Sequence, residues 1–259
     1  MTYPPERHLL RDLAFRGERT HDRASNRIDV TPGLLDDRGV RVGVLATMVD
    51  VTGAAIALAS IRPDWIATSD LGVHVVRPIE RGEVEVTCTP LRVGARSIVV
   101  DARIVDDHRS LCAVGRMAFA RIPGSATAAT MDEAVGDETV HHAIDGGRPI
   151  ADPIDELCGF TPVGPGQLRF DKGDYVRNSF GTVNGGVLAL AADAAAASAC
   201  GGGSAVDLQI HYLEQIGDGP VGVTGEVVRD DPLPFVRVRI EDLADGRLVA
   251  VSDVTVAPR

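Results

Sequence analysis

One short pattern occurs twice in this chain, and that repetition restricts the fold more than any single residue does. GVLATMVD runs from Gly43 to Asp50 and GVLALAAD from Gly186 to Asp193, a displacement of 143 positions at both ends. Further on, DLGVHV from Asp70 matches DLQIHY from Asp207, and GEVEVT from Gly82 matches GPVGVT from Gly219, both displaced by 137. One six-residue deletion between the two blocks reconciles the displacements. Each copy reads as an extended segment, one long apolar helix, and then strands separated by turns. In the second copy the helix is expected to start after Asn184-Gly185-Gly186 and to stop at Gly201-Gly202-Gly203, a run suited to a helix C-terminus. Alternating strands follow: VDLQIHYL, GVTGEVV, FVRVRIEDL and LVAVSDVTV, with DLGVHVV, EVEVTC, SIVVDARIV and LCAVGRMAF as their counterparts. Residues 123–153 are rich in Ala, Gly, Thr and acids and lack periodicity, so they read as a linker between a first repeat over 1–122 and a second over 154–259. Both helices are apolar nearly all round, which requires protein on most of their sides. An antiparallel sheet curled around one central helix per repeat meets that demand, and the class is α+β.

Composition narrows the partners. The net charge is −11 over 259 residues, so the surface as a whole repels phosphate backbones and no nucleic-acid partner is expected. The segment MTYPPERHLLRDLAF has no apolar core of signal-peptide length. No apolar run is expected to reach the roughly 18 residues of a membrane span, the Ala-rich stretch Val187–Cys200 being shorter and interrupted by Asp193, so the expected location is cytoplasmic with no membrane partner. Four widely spaced cysteines, Cys88, Cys112, Cys158 and Cys200, form no CxxC pair and read as reduced thiols. No metal site is expected: His141-His142 lies in the linker without a nearby ligand set. GxSxG, GxxxxGK[ST] and HExxH are absent, and the GGGS at Gly201 reads as a helix stop.

A carboxylate in the middle of a Val, Leu and Ala helix requires explanation, because an unpaired buried charge is strongly unfavourable. The neighbours of Asp193 at helical spacing are Leu190, Ala189, Ala196 and Ala197, none of which can pair with it. Asp193 therefore finds a partner elsewhere in the fold, faces a cavity, or is protonated. Asp50, at the same place in the first repeat, has Thr47 one turn earlier.

The stretch Asn178-Ser-Phe-Gly181-Thr-Val-Asn184-Gly185-Gly186-Val-Leu-Ala-Leu-Ala-Ala-Asp193 resembles the active-site segment of hotdog-fold acyl-CoA thioesterases of the phenylacetate-pathway (PaaI-like) type: an Asn, a Gly, then His-Gly-Gly and an acid on the following helix. Asn178, Gly181, Gly185, Gly186 and Asp193 match in type and spacing, and Asn184 stands where the family usually has His. The resemblance implies a tandem double hotdog whose repeats pair as a pseudo-dimer, with both helices on one side of a continuous sheet. It implies hydrolysis of an acyl-CoA thioester without a cofactor, CoA being part of the substrate, and leaves room for a homodimer of such double units. A glycine N–H at a helix start can hold a developing oxyanion. The Asn178 side chain can polarise the same carbonyl, and a carboxylate on the facing helix attacks directly or activates water.

In the first repeat the corresponding loop reads Leu35-Asp-Asp-Arg38-Gly-Val-Arg41-Val42-Gly43, which lacks both the Asn and the first glycine. That repeat keeps Asp50 and adds Thr68, where related enzymes often carry a Ser or Thr that holds water; the second has Ala205 there. In dimers of this family the oxyanion half and the acid half of a site come from different subunits. Pairing the repeats that way gives one complete site, Asn178 and Gly185 with Asp50 and Thr68, and one broken site, Leu35 and Val42 with Asp193 and Ala205. Candidate site residues are thus Asp50, Thr68, Asn178, Gly185 and Asp193. Asn184 and Gly186 are candidate contacts to the CoA part, and Arg92 and Arg96, in a basic glycine-containing turn, are candidates for its phosphates. A non-catalytic acyl-CoA-binding or assembly module is the alternative, motivated by Asn184. An enoyl-CoA hydratase is the second, although neither Asp50 nor Asp193 is followed by a His on its helix.

Overall fold

The computed structural model describes residues 3–124, 139–144 and 149–259. Its first half contains α1 (Leu9–Asp12), β1 (Arg16–Arg19), β2 (Ala24–Asp29), α2 (Val42–Ile61), β3 (Trp65–Val75), β4 (Glu83–Val93), β5 (Ser97–Asp106) and β6 (Leu111–Ile122). After β7 (Val140–Ala143), the second half contains α3 (Ile154–Leu157), β8 (Thr161–Gly164), β9 (Gln167–Phe170), α4 (Gly185–Ala199), β10 (Ser204–Tyr212), β11 (Val221–Arg229), β12 (Phe235–Asp242) and β13 (Arg247–Ala257).

All strands of the described residues join one 13-stranded antiparallel sheet in the order β7-β1-β2-β4-β5-β6-β3-β10-β13-β12-β11-β9-β8. The two halves meet at β3 and β10, where Asp70 faces His211, Gly72 faces Gln209 and His74 faces Asp207. Gly72 and Gln209 are counterparts at the displacement of 137, so a pseudo-twofold axis passes through that pair. Two histidine–carboxylate contacts straddle the axis: His74 Nδ1 to Asp207 Oδ2 at 2.5 Å, and His211 Nδ1 to Asp70 Oδ2 at 2.6 Å. This is the side-by-side double hotdog that the repeats imply.

The helices meet on the same axis. A Cβ on Gly43 would stand 2.5 Å from the Leu190 Cα, and one on Gly186 would stand 2.5 Å from the Thr47 Cα. Gly43 and Gly186 are counterparts, as are Thr47 and Leu190, so glycine is required twice, for one reason: backbone approaches backbone without room for a methyl group. Gly43→Ala is expected to destabilise the fold by about 2 kcal/mol, the scale of overpacking a tight core. Denaturant unfolding measures it, and an unchanged midpoint would contradict the helix contact.

Three expectations need correction. The segment read as a linker supplies β7, which pairs with β1 (Gly17 opposite His142), while 125–138 and 145–148 lie outside the described residues. The α4 helix begins at Gly185 rather than after Gly186, because the Asn184 side chain caps it there. Finally, Val42–Ile61 is long and apolar enough to cross a membrane, with a mean hydropathy of 1.9, although no such run was expected. Asp50 divides the segment for the eye without lowering its average enough, and 78% of its most apolar stretch is buried against the sheet and α4.

Candidate active site

Each acid on a central helix faces the start of the other helix. The Asp50 Oδ2 accepts from the Gly186 N–H at 3.2 Å, and the Asp193 Oδ2 accepts from the Gly43 N–H at 3.2 Å. The pseudo-twofold axis thus generates two composite positions, whose surroundings differ.

At the first position, the Thr68 hydroxyl donates to Asp50 Oδ1 at 2.9 Å. Asp50 is 6% exposed, and burial pushes its carboxyl up to about 6 against the hydrogen bonds from Thr68 and Gly186 that pull it down. Thr47 does not assist it, since its hydroxyl donates to the Gly43 carbonyl one turn back. Gly185 is half-buried beside the carboxylate, and among the described residues its N–H has no acceptor. Its carbonyl accepts from the Tyr212 hydroxyl at 2.8 Å. Burial, with the charges of Asp50 and Asp70 added, holds the Tyr212 phenol well above its ordinary range, so Tyr212 stays a donor. The sequence reading missed Tyr212; the signal was an aromatic with a polar tip at the end of DLQIHY, where DLGVHV ends in Val75.

Asn184 and Gly186 have employment inside the protein. The Gly186 N–H is shared between Asp50 and Asn184 Oδ1, the latter at 2.8 Å, and a Gly186 Cβ has no room. Asn184 Oδ1 thus caps the helix, and Gly186 lies at the helix crossing. Asn178 Oδ1 accepts from the Phe180 N–H at 2.9 Å and the Thr182 N–H at 3.2 Å, which closes the loop ahead of α4. Its Nδ2 has no acceptor among the described residues.

At the second position, Arg41 occupies the place that Asn184 holds in the first. The Arg41 Nε donates to Asp193 Oδ2 at 3.2 Å, and its Nη1 donates to Asp155 Oδ1 at 2.5 Å. Burial opposes the guanidinium charge, but the carboxylates of Asp193 and Asp155 outweigh it and raise Arg41 above its ordinary value. Burial likewise pushes the Asp193 carboxyl up, and the Arg41 charge pulls it back. Of the three fates open to Asp193, partnership is the one observed. The displacement of 143 sets Arg41 opposite Asn184, and its reach to Asp193 shows only in the structure.

Arg92 and Arg96 are exposed in the β4–β5 hairpin and have no acidic partner among the described residues. That hairpin is tied to β6 by the Arg121 N–H donating to the Arg96 carbonyl at 2.9 Å. Among the described residues no group of three His, Cys, Asp or Glu side chains could hold a metal ion, and His142 Nε2 lies 2.7 Å from Asn26 Oδ1. A concavity of about 490 Å³ lies at the far edge of the sheet, over β7, β1 and β2. Of its arginines, Arg16, Arg23 and Arg109 are paired with Asp29, Glu83, Glu18 and Glu85, and Arg27 lines it as well.

The fold and this arrangement define a class: two hotdog units sharing one sheet, with an acid-bearing helix facing a glycine-led helix start. The profile of the thioesterase superfamily matches residues 42–113, from the start of α2 into β6. Among solved structures, a protein provisionally described as an oleoyl thioesterase from Lactobacillus plantarum is similar over 92% of this chain and 98% of its own, with 10% identity and a TM-score of 0.64. An acyl-ACP thioesterase from Bacteroides thetaiotaomicron is similar over 91% of this chain and 98% of its own, with 13% identity and a TM-score of 0.60. Both likenesses are likenesses of fold. No curated protein matches the sequence.

Proposed function

We propose that the protein hydrolyses acyl-CoA thioesters at one composite site between its repeats, of the PaaI-like kind. The observation that carries this reading is the Asp50 carboxylate, held by Thr68 and the Gly186 N–H, beside a Gly185 N–H that has no acceptor of its own among the described residues. A thioester carbonyl near Gly185 has its oxygen facing that N–H at the positive end of α4. Asp50 takes a proton from water, with Thr68 fixing the carboxylate. The resulting hydroxide adds to the carbonyl carbon, the oxyanion develops toward Gly185, and collapse expels the thiolate, which takes the proton back from Asp50 to leave acid and thiol. A carboxyl raised to about 6 is a stronger base than an ordinary one and is still ionised at pH 7. Arg92 and Arg96 are the proposed phosphate contacts, on a hairpin reached from the site across β3 and β6.

The test is thiol release from a panel of acyl-CoAs, repeated with Asp50→Asn. Hydration of an enoyl-CoA, or tight binding without release, would replace the reading with one of its alternatives. The same assay yields a pH prediction. Activity needs Asp50 as carboxylate, so kcat/KM is expected to be flat above pH 7 and to fall about tenfold per unit well below pH 6. An acid limb near pH 4 would mean that a different, ordinary carboxylate carries the reaction.

A further inference from the structure

Strand β3 is longer than its neighbour across the pseudo-twofold axis. Its pairing with β10 stops at Asp70 opposite His211, while on its other side β3 stays paired to β6 as far back as Trp65 opposite Ile122. After Tyr212 the chain turns away to β13, the Leu213 and Glu214 N–H groups both donating to the Val249 carbonyl. Residues 65–69 therefore have no strand partner on the side of the second repeat. Thr68, bonded to Asp50, lies toward one end of this stretch, and Trp65 is at the other.

A ring contact crosses to Trp65 from the second repeat. Phe180 meets the indole edge to face, with ring centroids 4.5 Å apart and planes at 77°. Phe180 sits in the loop that Asn178 closes through the Phe180 N–H, and 47% of its surface is exposed. The Trp65 Nε1 is buried and has no acceptor among the described residues, so it is a donor left unsatisfied.

The twofold counterpart of this pair makes the contrast. Phe180 corresponds to Asp37 and Trp65 to Gly202, at displacements of 143 and 137. There Asp37 Oδ2 pairs with the Arg259 Nε at 2.7 Å, and a Cβ on Gly202 would stand 3.0 Å from the same Nε. The side whose acid is tied to Arg41 carries an exposed ion pair at this position, and the side whose acid faces Gly185 carries an aromatic pair.

We propose that Trp65 and Phe180 form a substrate gate at the mouth of the Asp50 site: the amide-bearing arm of a thioester passes between them, and the Trp65 indole N–H donates to one of its amide carbonyls. CoA and carrier proteins share that arm, so its chemistry is what the gate recognises. Phe180 swings with its loop, which is anchored at the Asn178 side chain, and Trp65 is the fixed wall on a strand. This role rests on the thioester reading of the site, but its test is separable.

Trp65 is the sole tryptophan of the chain, so its fluorescence reports the gate without labelling. Titration of the whole protein with pantetheine, with CoA and with adenosine 3′,5′-bisphosphate is expected to change the emission saturably for the first two and not for the third. CoA binding tighter than pantetheine marks CoA as the source of the arm; equal affinities mark a carrier-borne arm. Trp65→Phe keeps the ring and removes the donor, and is expected to raise KM about tenfold with kcat within about twofold, the scale of one hydrogen bond to a buried group. Phe180→Ala is expected to shift the emission of ligand-free protein to the red, as water reaches the indole. Saturable CoA binding with silent Trp65 emission, or an unchanged KM in Trp65→Phe, would overturn the gate and leave hydrolysis standing. A Trp65 response to pantetheine in a protein that cleaves no thioester supports the gate and removes hydrolysis.

Discussion

Asp50→Asn is expected to lower kcat/KM by about 10³-fold, while Asp193→Asn leaves it within a few-fold of wild type. Position in the repeat does not separate these two acids; their partners do. Asp50 has a hydroxyl and one shared backbone N–H, and neither neutralises its charge. Asp193 is in an ion pair with Arg41, which itself bridges to Asp155. Stability should move in the opposite sense to activity. The folded state holds the Asp50 proton more tightly than the unfolded chain does, so ionising Asp50 takes stability away as pH rises from 3.8 toward 6. At pH 8, Asp50→Asn is therefore expected to melt at or above the wild-type temperature. Asp193→Asn breaks a buried pair and should lose on the order of 3 kcal/mol, since it leaves Arg41 with Asp155 alone. Thermal melts and kcat/KM for the two variants decide the assignment. A dead Asp193→Asn with an active Asp50→Asn would reverse it.

Gly185→Val copies the residue that the first repeat carries at Val42, and it is expected to reduce kcat by about 10²-fold or more. A Cβ at Gly185 would stand 3.1 Å from Asp50 Oδ2, and the two valine methyl groups would extend further into the space beside the carboxylate. Its backbone is not left-handed, so a side chain can be carried there and folding should survive. The variant therefore blocks the approach of a carbonyl rather than the helix. Circular dichroism and steady-state kinetics together test it, and near-wild-type kcat in a folded variant would remove Gly185 from the oxyanion role.

The duplication, the strands and the cross-repeat sense of the site were legible because each follows from pattern. Hydrophobic alternation marks strands, and a constant displacement marks equivalent positions, so Asp50, Thr68 and Gly185 could be brought together before any coordinates. The misreadings share a cause, which is that one side chain's partner depends on distances that no pattern records. Arg41 was in view as part of a degraded loop, yet its reach to Asp193 depends on how close the helices come. The cap that Asn184 places on α4 appears only once the Gly186 N–H is located. Trp65 and Phe180 lie more than 100 positions apart in unrelated elements, and only the early end of the β3–β10 pairing brings them into contact.

The covalent join between the halves changes what substitution can achieve. In a dimer of identical subunits, Arg in place of Asn at the head of the helix would appear at both sites together, and any gain in rigidity would extinguish both reactions. Here the two helix heads are encoded separately, so Arg41 can fasten one side of the helix crossing through Asp193 and Asp155 while Asn184 leaves the other side open. One half of the molecule is free to act as a brace for the other, a division of labour that a symmetric assembly cannot reach by any single mutation.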